Sequence, residues 1–328
     1  MWLLAAVLVL ATAVLIVLGA PTWWWLIAAA AAVVSQLAVV TSWSDARAGT
    51  VLNVLLALVA AYGFLSVGPT SFHATWEKQA TQALTDADAT PPVLIEKDLA
   101  GLPQPLATCI RRSGAVGKPR VTSVYADFHG RIRSSPATAW MTFTGRQVNT
   151  FGERPQRLFL MDATRSGLPV TVLHLYADAT ATMRAKVLSL VTVVDASGAE
   201  MNRGETVTVF NELVLLAPGA IVDAPSGGRP WTPRTSVGLH PRRPDGLGRA
   251  HVQHLRRPGR LRLRGPVPRL GGWEVVRPAD LVNPAVGIPR RGRAPTAHDG
   301  RGTVAGPTGW FTYIELEFDE IAYNVPSV

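Results

Sequence analysis

The chain has 328 residues, of which 48% are hydrophobic and only 17% are charged, so a largely disordered protein is excluded. A single cysteine, Cys109, excludes an internal disulfide framework and a cysteine-rich metal module. The formal net charge is +9, but residues 226–306 alone hold 16 arginines, no lysine and 4 acidic residues, a net of +12 (16 − 4). The remaining chain therefore carries a net of −3 (9 − 12), and the basic balance belongs to one segment.

Three uncharged apolar stretches open the chain and predict three transmembrane helices, at about residues 1–18, 23–41 and 51–67. Each approaches the ~20 apolar residues that a helix needs to cross a bilayer. The three tryptophans at positions 23–25 suit the headgroup layer, where amphipathic rings are enriched. We therefore expect a multi-pass protein of the cell membrane, with the lipid bilayer as a partner.

The connecting loops carry a small orientation signal. Arg47 is the only basic residue in either loop, and Asp45 offsets it. Because basic residues favour cytoplasmic loops, Arg47 predicts a cytoplasmic amino terminus and places everything after residue 67 outside the cytoplasm.

Residues 68–92 are polar and are interpreted as a linker, with a helix leaving the apolar segment as the alternative, and a β-rich soluble domain follows over residues 93–225. At the start of this domain, residues 94–116 predict a helix, since Leu102, Leu106 and Ile110 recur at helical spacing. Cys109 falls on the same apolar stripe, so a structural role is expected for it.

Residues 122–133 change to a period of two, which is typical of a strand with one apolar and one solvated face. The apolar side includes Val124, Phe128 and Ile132. Similar runs follow at residues 140–151, 157–164, 170–177 and 182–194, and a helix is predicted at 203–217. Short turns between consecutive strands favour antiparallel pairing. The predicted fold is a membrane α-helical segment followed by an α+β domain, an antiparallel β-meander with one or two packing helices.

The sequence offers few candidate site residues. His129 and His174 lie on strands without a metal-binding partner at ligand spacing, so both are expected to be solvated. Polar residues on the last helix could line a pocket, although an ordinary solvated helix face is the alternative. No catalytic residue, metal or cofactor is predicted. The candidate pocket-lining residues are Phe128, Glu205, Asn211 and Glu212.

Four segments carry a resemblance to an uncharacterised bacterial family: residues 35–54, 102–121, 140–147 (WMTFTGRQ) and 309–325 (GWFTYIELEFDEIAYNV). The resemblance covers residues 20–225 and 307–325. Members of that family pair a few membrane spans with a β-rich domain of unknown function. The resemblance therefore implies this architecture and carries over no site residue.

Residues 226–306 contain no Phe, Tyr or Lys and cannot bury enough apolar surface to offset ordering entropy, so disorder is one expectation. An arginine-rich arm for phosphate groups is a second. The third is a stretch read out of frame, because a one-base shift of residues 272–284 can encode GGKSFAPQTWSTP. On the third interpretation no nucleic-acid partner is expected, and the sheet lacks its middle strands. Residues 307–328 then form a C-terminal strand.

Two functions remain open. The first is a non-enzymatic, membrane-anchored module with an extracytoplasmic domain that binds a lipid-like or other apolar ligand, or a partner protein, on its sheet. Several long strands against so little helix should leave a concave apolar face. The alternative is a membrane-anchored enzyme of unknown reaction with a site in that concave face. The sequence contains no nucleophile elbow, Walker loop or dinucleotide fingerprint, which lowers the expectation of an enzyme.

Overall fold

The computed structural model describes residues 1–19, 21–88, 90–223, 250–251, 262–263, 299–306 and 309–327. The amino-terminal part consists of the helices α1 (Trp2–Val17), α2 (Trp24–Thr41), the short α3 (Trp43–Ala46) and α4 (Gly49–Val67). α2 packs between α1 and α4. Asn53 of α4 donates a hydrogen bond to Gln36 of α2 (Nδ2 to Oε1, 2.9 Å), which joins these two helices through polar groups.

By length and composition, two helical stretches could cross a membrane: α2, and the continuous run 49–86 whose apolar part is α4. α1 is also apolar but has only 16 residues. These features support the predicted membrane segment only weakly, because core helices of soluble proteins and signal sequences share them.

A helix, α5 (Phe72–Asp86), occupies most of the segment for which a linker or a helix is expected. Its start is capped by Ser71, whose Oγ accepts a hydrogen bond from the backbone N–H of Ala74 at 3.0 Å. Its apolar side, with Trp76 and Leu84, is buried against the sheet, and this packing explains why the polar stretch is helical.

The helix predicted at residues 94–116 is shorter in the structure. α6 covers Gln104–Ser113, and a separate 3₁₀ turn covers Glu96–Leu99. Pro103 stands at the N-cap of α6 and cannot continue a helix from upstream, while Gly114 ends it in the left-handed region at φ 71°.

The domain contains one eight-stranded antiparallel sheet, as the meander prediction requires. Six consecutive strands lie side by side in chain order, and two carboxyl-terminal strands extend the sheet beyond the first of them. The run predicted as one strand at 182–194 is two strands joined by a tight turn. The six strands are β1 (Ser123–Ile132), β2 (Met141–Thr150), β3 (Gln156–Arg165), β4 (Leu168–Ala177), β5 (Thr180–Val187) and β6 (Val191–Ser197).

Residues after 223 add β7 (Ala250–His251), β8 (Arg262–Leu263), β9 (Asp299–Gly306) and β10 (Gly309–Tyr323). β10 pairs directly with β1, so the sheet continues from β1 into the carboxyl-terminal strand. This pairing does not test the expectation that strands encoded by residues 226–306 are missing. β9 pairs with β10 and lies inside the block predicted to be disordered or out of frame. The other expectations for residues 226–306 fall outside the described residues.

The two faces of the sheet carry different helices. α5 covers the face that includes Val148, Leu158 and Leu173. The opposite face, which we call the α7 face, is covered at one end by α6 and by α7 (Ala199–Leu216), a helix that begins four residues earlier than predicted. The end under α7 is called the α7 end, and the other is called the far end.

Candidate functional site

Six polar side chains meet on the α7 face, beneath α7. We call them the Arg157 cluster. Strands in a twisted antiparallel sheet place residues of matching parity on one face, and the two glutamates are seven residues apart, about two helical turns, so they share one side of α7. The cluster consists of Gln147 and Asn149 from β2, Arg157 from β3, His174 from β4, and Glu205 and Glu212 from α7.

Arg157 lies at the centre and is buried. Its Nε donates to both carboxylate oxygens of Glu212 at 3.0 and 2.9 Å. Its Nη1 donates to Oε1 of Glu205 at 2.9 Å, and its Nη2 donates to Oε1 of Gln147 at 2.9 Å. The guanidinium is thus held by two carboxylates and an amide, which fixes α7 on the sheet.

The amides complete the shell around Glu212. Gln147 Nε2 and Asn149 Nδ2 donate to Glu212 Oε2 at 2.9 and 2.8 Å. Burial lowers the pKa of Arg157, but the charges of Glu212 and Glu205 outweigh it and the pKa is raised. Arg157 is therefore always charged, and Glu212 is fully engaged as its partner.

His174 and Glu205 form the unusual part of the cluster. His174 Nε2 and Glu205 Oε2 are 3.2 Å apart, yet neither atom has a hydrogen-bond partner of acceptable geometry among the described residues. Burial, and then the charge of Arg157, lowers the pKa of His174 to about 3, while burial raises the pKa of Glu205. A proton on Glu205 would reach the neutral imidazole and bring the cluster to zero net charge.

Next to the Arg157 cluster, a second cluster of apolar side chains, buried at its centre, occupies the far end of the α7 face. It includes an aromatic group around Phe128, whose ring stacks on Phe159 at 5.6 Å between centroids and meets Phe143 and Phe318 edge-on at 6.2 and 6.0 Å. Every described residue of this cluster comes from a strand, and no described helix contributes to it. We call it the Phe128 face.

Gly145 makes room for the aromatic group. A Cβ at this position would lie 2.3 Å from the ring of Phe128, closer than real contacts allow. Arg157 joins the two surfaces, since its guanidinium stacks over the ring of Phe159 at 4.9 Å. The polar Arg157 cluster and the apolar Phe128 face therefore adjoin on one face of the sheet.

The opposite face holds an open groove of about 380 Å³ lined by Asp127, Thr144, Arg146, Asp162 and Asp319, among others. Its carboxylates already have partners. Asp162 accepts from Thr171 and contacts His73, and Asp319 contacts the exposed His129. This groove is a network of surface ion pairs, and a deep ligand site is not formed there.

Some of the predicted site residues come together. Glu205 and Glu212 face Arg157, and Phe128 lies at the centre of the apolar face. Asn211 stands outside the Arg157 cluster in the described contacts. His129 is exposed as expected, but the expectation for His174 is wrong, because its side chain is only 13% exposed beneath α7.

Sequence reasoning missed Arg157, Gln147, Asn149 and His174. A usable signal existed, since Arg157 has the same parity as Phe159 and Met161 and so interrupts an apolar strand face with a charge. Among the described residues, no group of three or more His, Cys, Asp or Glu side chains is arranged for a metal ion. Cys109 is half-buried, and burial raises the pKa of its thiol.

All members of the Arg157 cluster, together with Phe128, lie within one segment that is similar to a known family. No curated protein and no solved structure matches the chain. Residues 92–227 match the model of a family of unknown function (DUF6544), so the β-rich domain up to the end of the α7 region is what this chain shares with that family.

Proposed function

We propose that this chain is a membrane-anchored protein whose β-rich domain binds an apolar, lipid-like molecule on the Phe128 face. The observation that carries the proposal is the apolar cluster of the Phe128 face, which among the described residues is built by strands alone, on the face where the described helices α6 and α7 cover only one end. Its central side chains, Phe128 and Phe143, are buried, so a ligand would pack between apolar groups. An apolar sheet face must be covered, and a bound acyl chain is one cover that suits its shape.

The membrane anchor is supported by the surface of the amino-terminal helices. α1, α2 and α4 contain no charged residue and leave large apolar side chains exposed along their lengths, such as Leu3, Leu37 and Leu52. In water such a surface would be a severe aggregation hazard, whereas in lipid it needs no further cover.

The shape of the sheet fits a groove rather than a flat wall. Register shifts occur between Asp127 and Phe128 in β1 and between Ala185 and Lys186 in β5. Such bulges bend strands and increase the local twist. Both register shifts lie beside the Phe128 face, and bending of the strands there favours a concave apolar face over a flat one.

The Arg157 cluster narrows the chemistry of the ligand. Arg157 is already engaged by Glu205, Glu212 and Gln147, so it offers little to an anionic head group. His174 Nε2 and Glu205 Oε2 lie 3.2 Å apart and are buried, so they face each other rather than a ligand. An uncharged apolar ligand therefore suits the face better than a fatty acid carboxylate.

Photo-cross-linking tests the proposal on the full chain in membranes. Lipid carrying a diazirine in its acyl chain should label peptides from β1, β2 and β10 as well as the amino-terminal helices. Ile314→Trp adds bulk to the Phe128 face and should reduce labelling of the strands several-fold. Tyr323→Trp is the matched control, because it lies on the same strand at an exposed position and should leave labelling unchanged. Labelling confined to residues 1–67 contradicts the proposal.

A further inference from the structure

An exposed apolar corner of the sheet is formed by two neighbouring hairpin turns, and we call it the Leu190 patch. The backbone N–H of Leu188 donates to the carbonyl of Pro169 at 2.9 Å, so the β3–β4 and β5–β6 turns lie side by side. The patch consists of Leu168, Leu188, Leu190 and Val191, with exposed fractions of 47%, 40%, 64% and 54%.

The backbone of the β5–β6 turn is unsuited to its residues. Leu188 and Ser189 both adopt left-handed conformations, at φ 54° and 56°. The β3–β4 turn uses the same pair of conformations with Ser166 and Gly167, which tolerate them well. A bulky leucine in this region is sterically disfavoured, so turn formation does not explain its presence.

The patch lies at the same level as the carboxyl end of α4. A small space between that helix and the sheet is bounded by Leu65 and Ser66 of α4, by Phe72, and by Thr171, Lys186 and Ser189 of the sheet. Ser189 is the residue between Leu188 and Leu190. α4 has 19 residues, which span about 28 Å and match the hydrocarbon thickness, so its last turn marks the bilayer boundary.

Basic side chains stand beside Phe72, which with Lys186 and Ser189 bounds the space next to the patch. The Nζ of Lys186 lies 4.7 Å from the centroid of the Phe72 ring, and the guanidinium of Arg184 lies 5.3 Å from it. Apolar side chains flanked by basic ones are the composition of a segment that enters the interface of an anionic membrane.

We infer that the Leu190 patch inserts into the leaflet from which α4 emerges and holds the far end of the sheet against the bilayer. This inference rests on the membrane anchor of the proposed function. The insertion of the patch adds a second contact with lipid, which the β-rich domain itself makes. It also places the Phe128 face, at the far end of the sheet, next to the membrane. The occupant of the patch is the lipid surface.

Fluorescence quenching tests this contact with the full chain reconstituted in vesicles of phosphatidylcholine and phosphatidylglycerol. Cys109→Ala removes the only cysteine, and an environment-sensitive dye is then attached at Leu190→Cys. Thr180→Cys is the matched control, an exposed site at the opposite end of the same hairpin. Leu58→Cys, in the middle of α4, reports on the anchor.

The expected result is several-fold stronger quenching at position 190 than at position 180 by a spin label near the lipid carbonyls, with a blue-shifted emission at position 190. Position 58 should be quenched best by a spin label deep in the acyl chains. Equal quenching at 190 and 180, with position 58 quenched, overturns the patch and leaves the anchor intact. A dye at position 58 that no lipid quenches overturns the anchor and the patch together.

A second variant separates insertion from folding. Leu188→Asn places a residue that accepts the left-handed conformation at the strained position, so the thermal midpoint in detergent should rise. The same change removes an apolar side chain from the patch, so quenching of the dye at position 190 should fall. A variant that keeps full quenching at position 190 contradicts the inference, because the leucine would then serve no membrane contact.

Discussion

The surroundings of His174 disfavour the protonated form of its imidazole. It is buried beneath α7 beside Arg157, and its pKa is lowered to about 3. Below pH ~6.5 the unfolded chain takes up a proton that the folded chain does not, so the free energy of unfolding falls as the pH falls. The raised pKa of Glu205 acts in the opposite sense, since its folded carboxyl keeps a proton that the unfolded chain loses as the pH rises above the ordinary carboxyl range.

We predict that His174→Gln removes the acid-side loss that His174 causes. The difference in unfolding free energy between the unsubstituted protein and the variant should therefore shift toward the variant by up to about 2 kcal/mol between pH ~6.5 and ~5. Denaturant titration of the full chain in detergent at several pH values measures it. A difference that stays constant across this range contradicts the assignment of a neutral, buried imidazole.

His129→Gln is the matched control, and its effect should have the opposite sign. His129 is exposed, and the hydrogen bond and charge of Asp319 raise its pKa. A raised histidine pKa contributes stability at low pH that is lost as the pH rises through it. His129→Gln should therefore cost more at acid pH than at alkaline pH.

The members of the Arg157 cluster on α7 can be predicted from the sequence, but their partner on the sheet cannot. Glu205 and Glu212 are predicted to line a pocket because they are polar residues of a helix, and their spacing places them on one side of that helix. Their partner could not be derived from helical spacing, since Arg157 comes from a strand about 50 residues earlier, and only the packing of α7 on the sheet joins them. Alternation did place Arg157 on the Phe159 side, where a buried charge requires partners.

At the scale of elements, α5 connects the amino-terminal helices to the sheet. Its central residue is Trp76, which is fully buried and donates its indole N–H to the carbonyl of Leu158 at 2.9 Å. The guanidinium of Arg146 lies over its ring at 4.7 Å. The polar composition of residues 68–92 leaves a linker and a helix both open, because α5 gains its apolar partner only from a sheet formed by residues later in the chain.

We predict that Trp76→Phe lowers the free energy of unfolding by about 1–3 kcal/mol, because the carbonyl of Leu158 loses its partner in a buried site and the smaller ring leaves space. Trp140→Phe is the control. Trp140 is only half-buried and is contacted by the guanidinium groups of Arg131 and Arg133, so its loss should cost less than about 1 kcal/mol. Equal losses for the two variants contradict the role given to Trp76.

Local signals explain which elements could be anticipated. The alternating strands were recognised because a period of two survives in each of them, and their turns contain Gly, Pro, Ser or Asp. The sequence predicts one strand over 182–194 and no β5–β6 turn. The reason is that Leu188, Ser189 and Leu190 lack the glycine, proline, asparagine or aspartate that usually marks a turn. Two of these turn residues, Leu188 and Leu190, belong to the Leu190 patch.

At the scale of the whole molecule, the direction of α5 shows which end of the sheet lies near the amino-terminal helices. α5 begins beside the carboxyl end of α4, where Phe72 meets Lys186. Past its other end, the carbonyl of Asp88 accepts a hydrogen bond from Thr122, at the start of β1. The Phe128 face therefore lies at the end of the sheet near α4, and the Arg157 cluster lies farther from it. This layout suits a domain that receives an apolar molecule from the bilayer.

The orientation of that domain is the last prediction, and it rests on Arg47 in the connection between α2 and α4. With that loop in the cytoplasm, three spans place Thr70 and everything after it outside. Protease added to intact spheroplasts of a bacterial host should remove a tag at the carboxyl terminus and spare a tag inserted beside Arg47. Arg47→Gln removes the only basic residue of the loops and should yield a mixed population in which part of the carboxyl-terminal tag is protected. A terminal tag that is cleaved only after lysis reverses the orientation, and the Phe128 face would then meet the cytoplasmic leaflet.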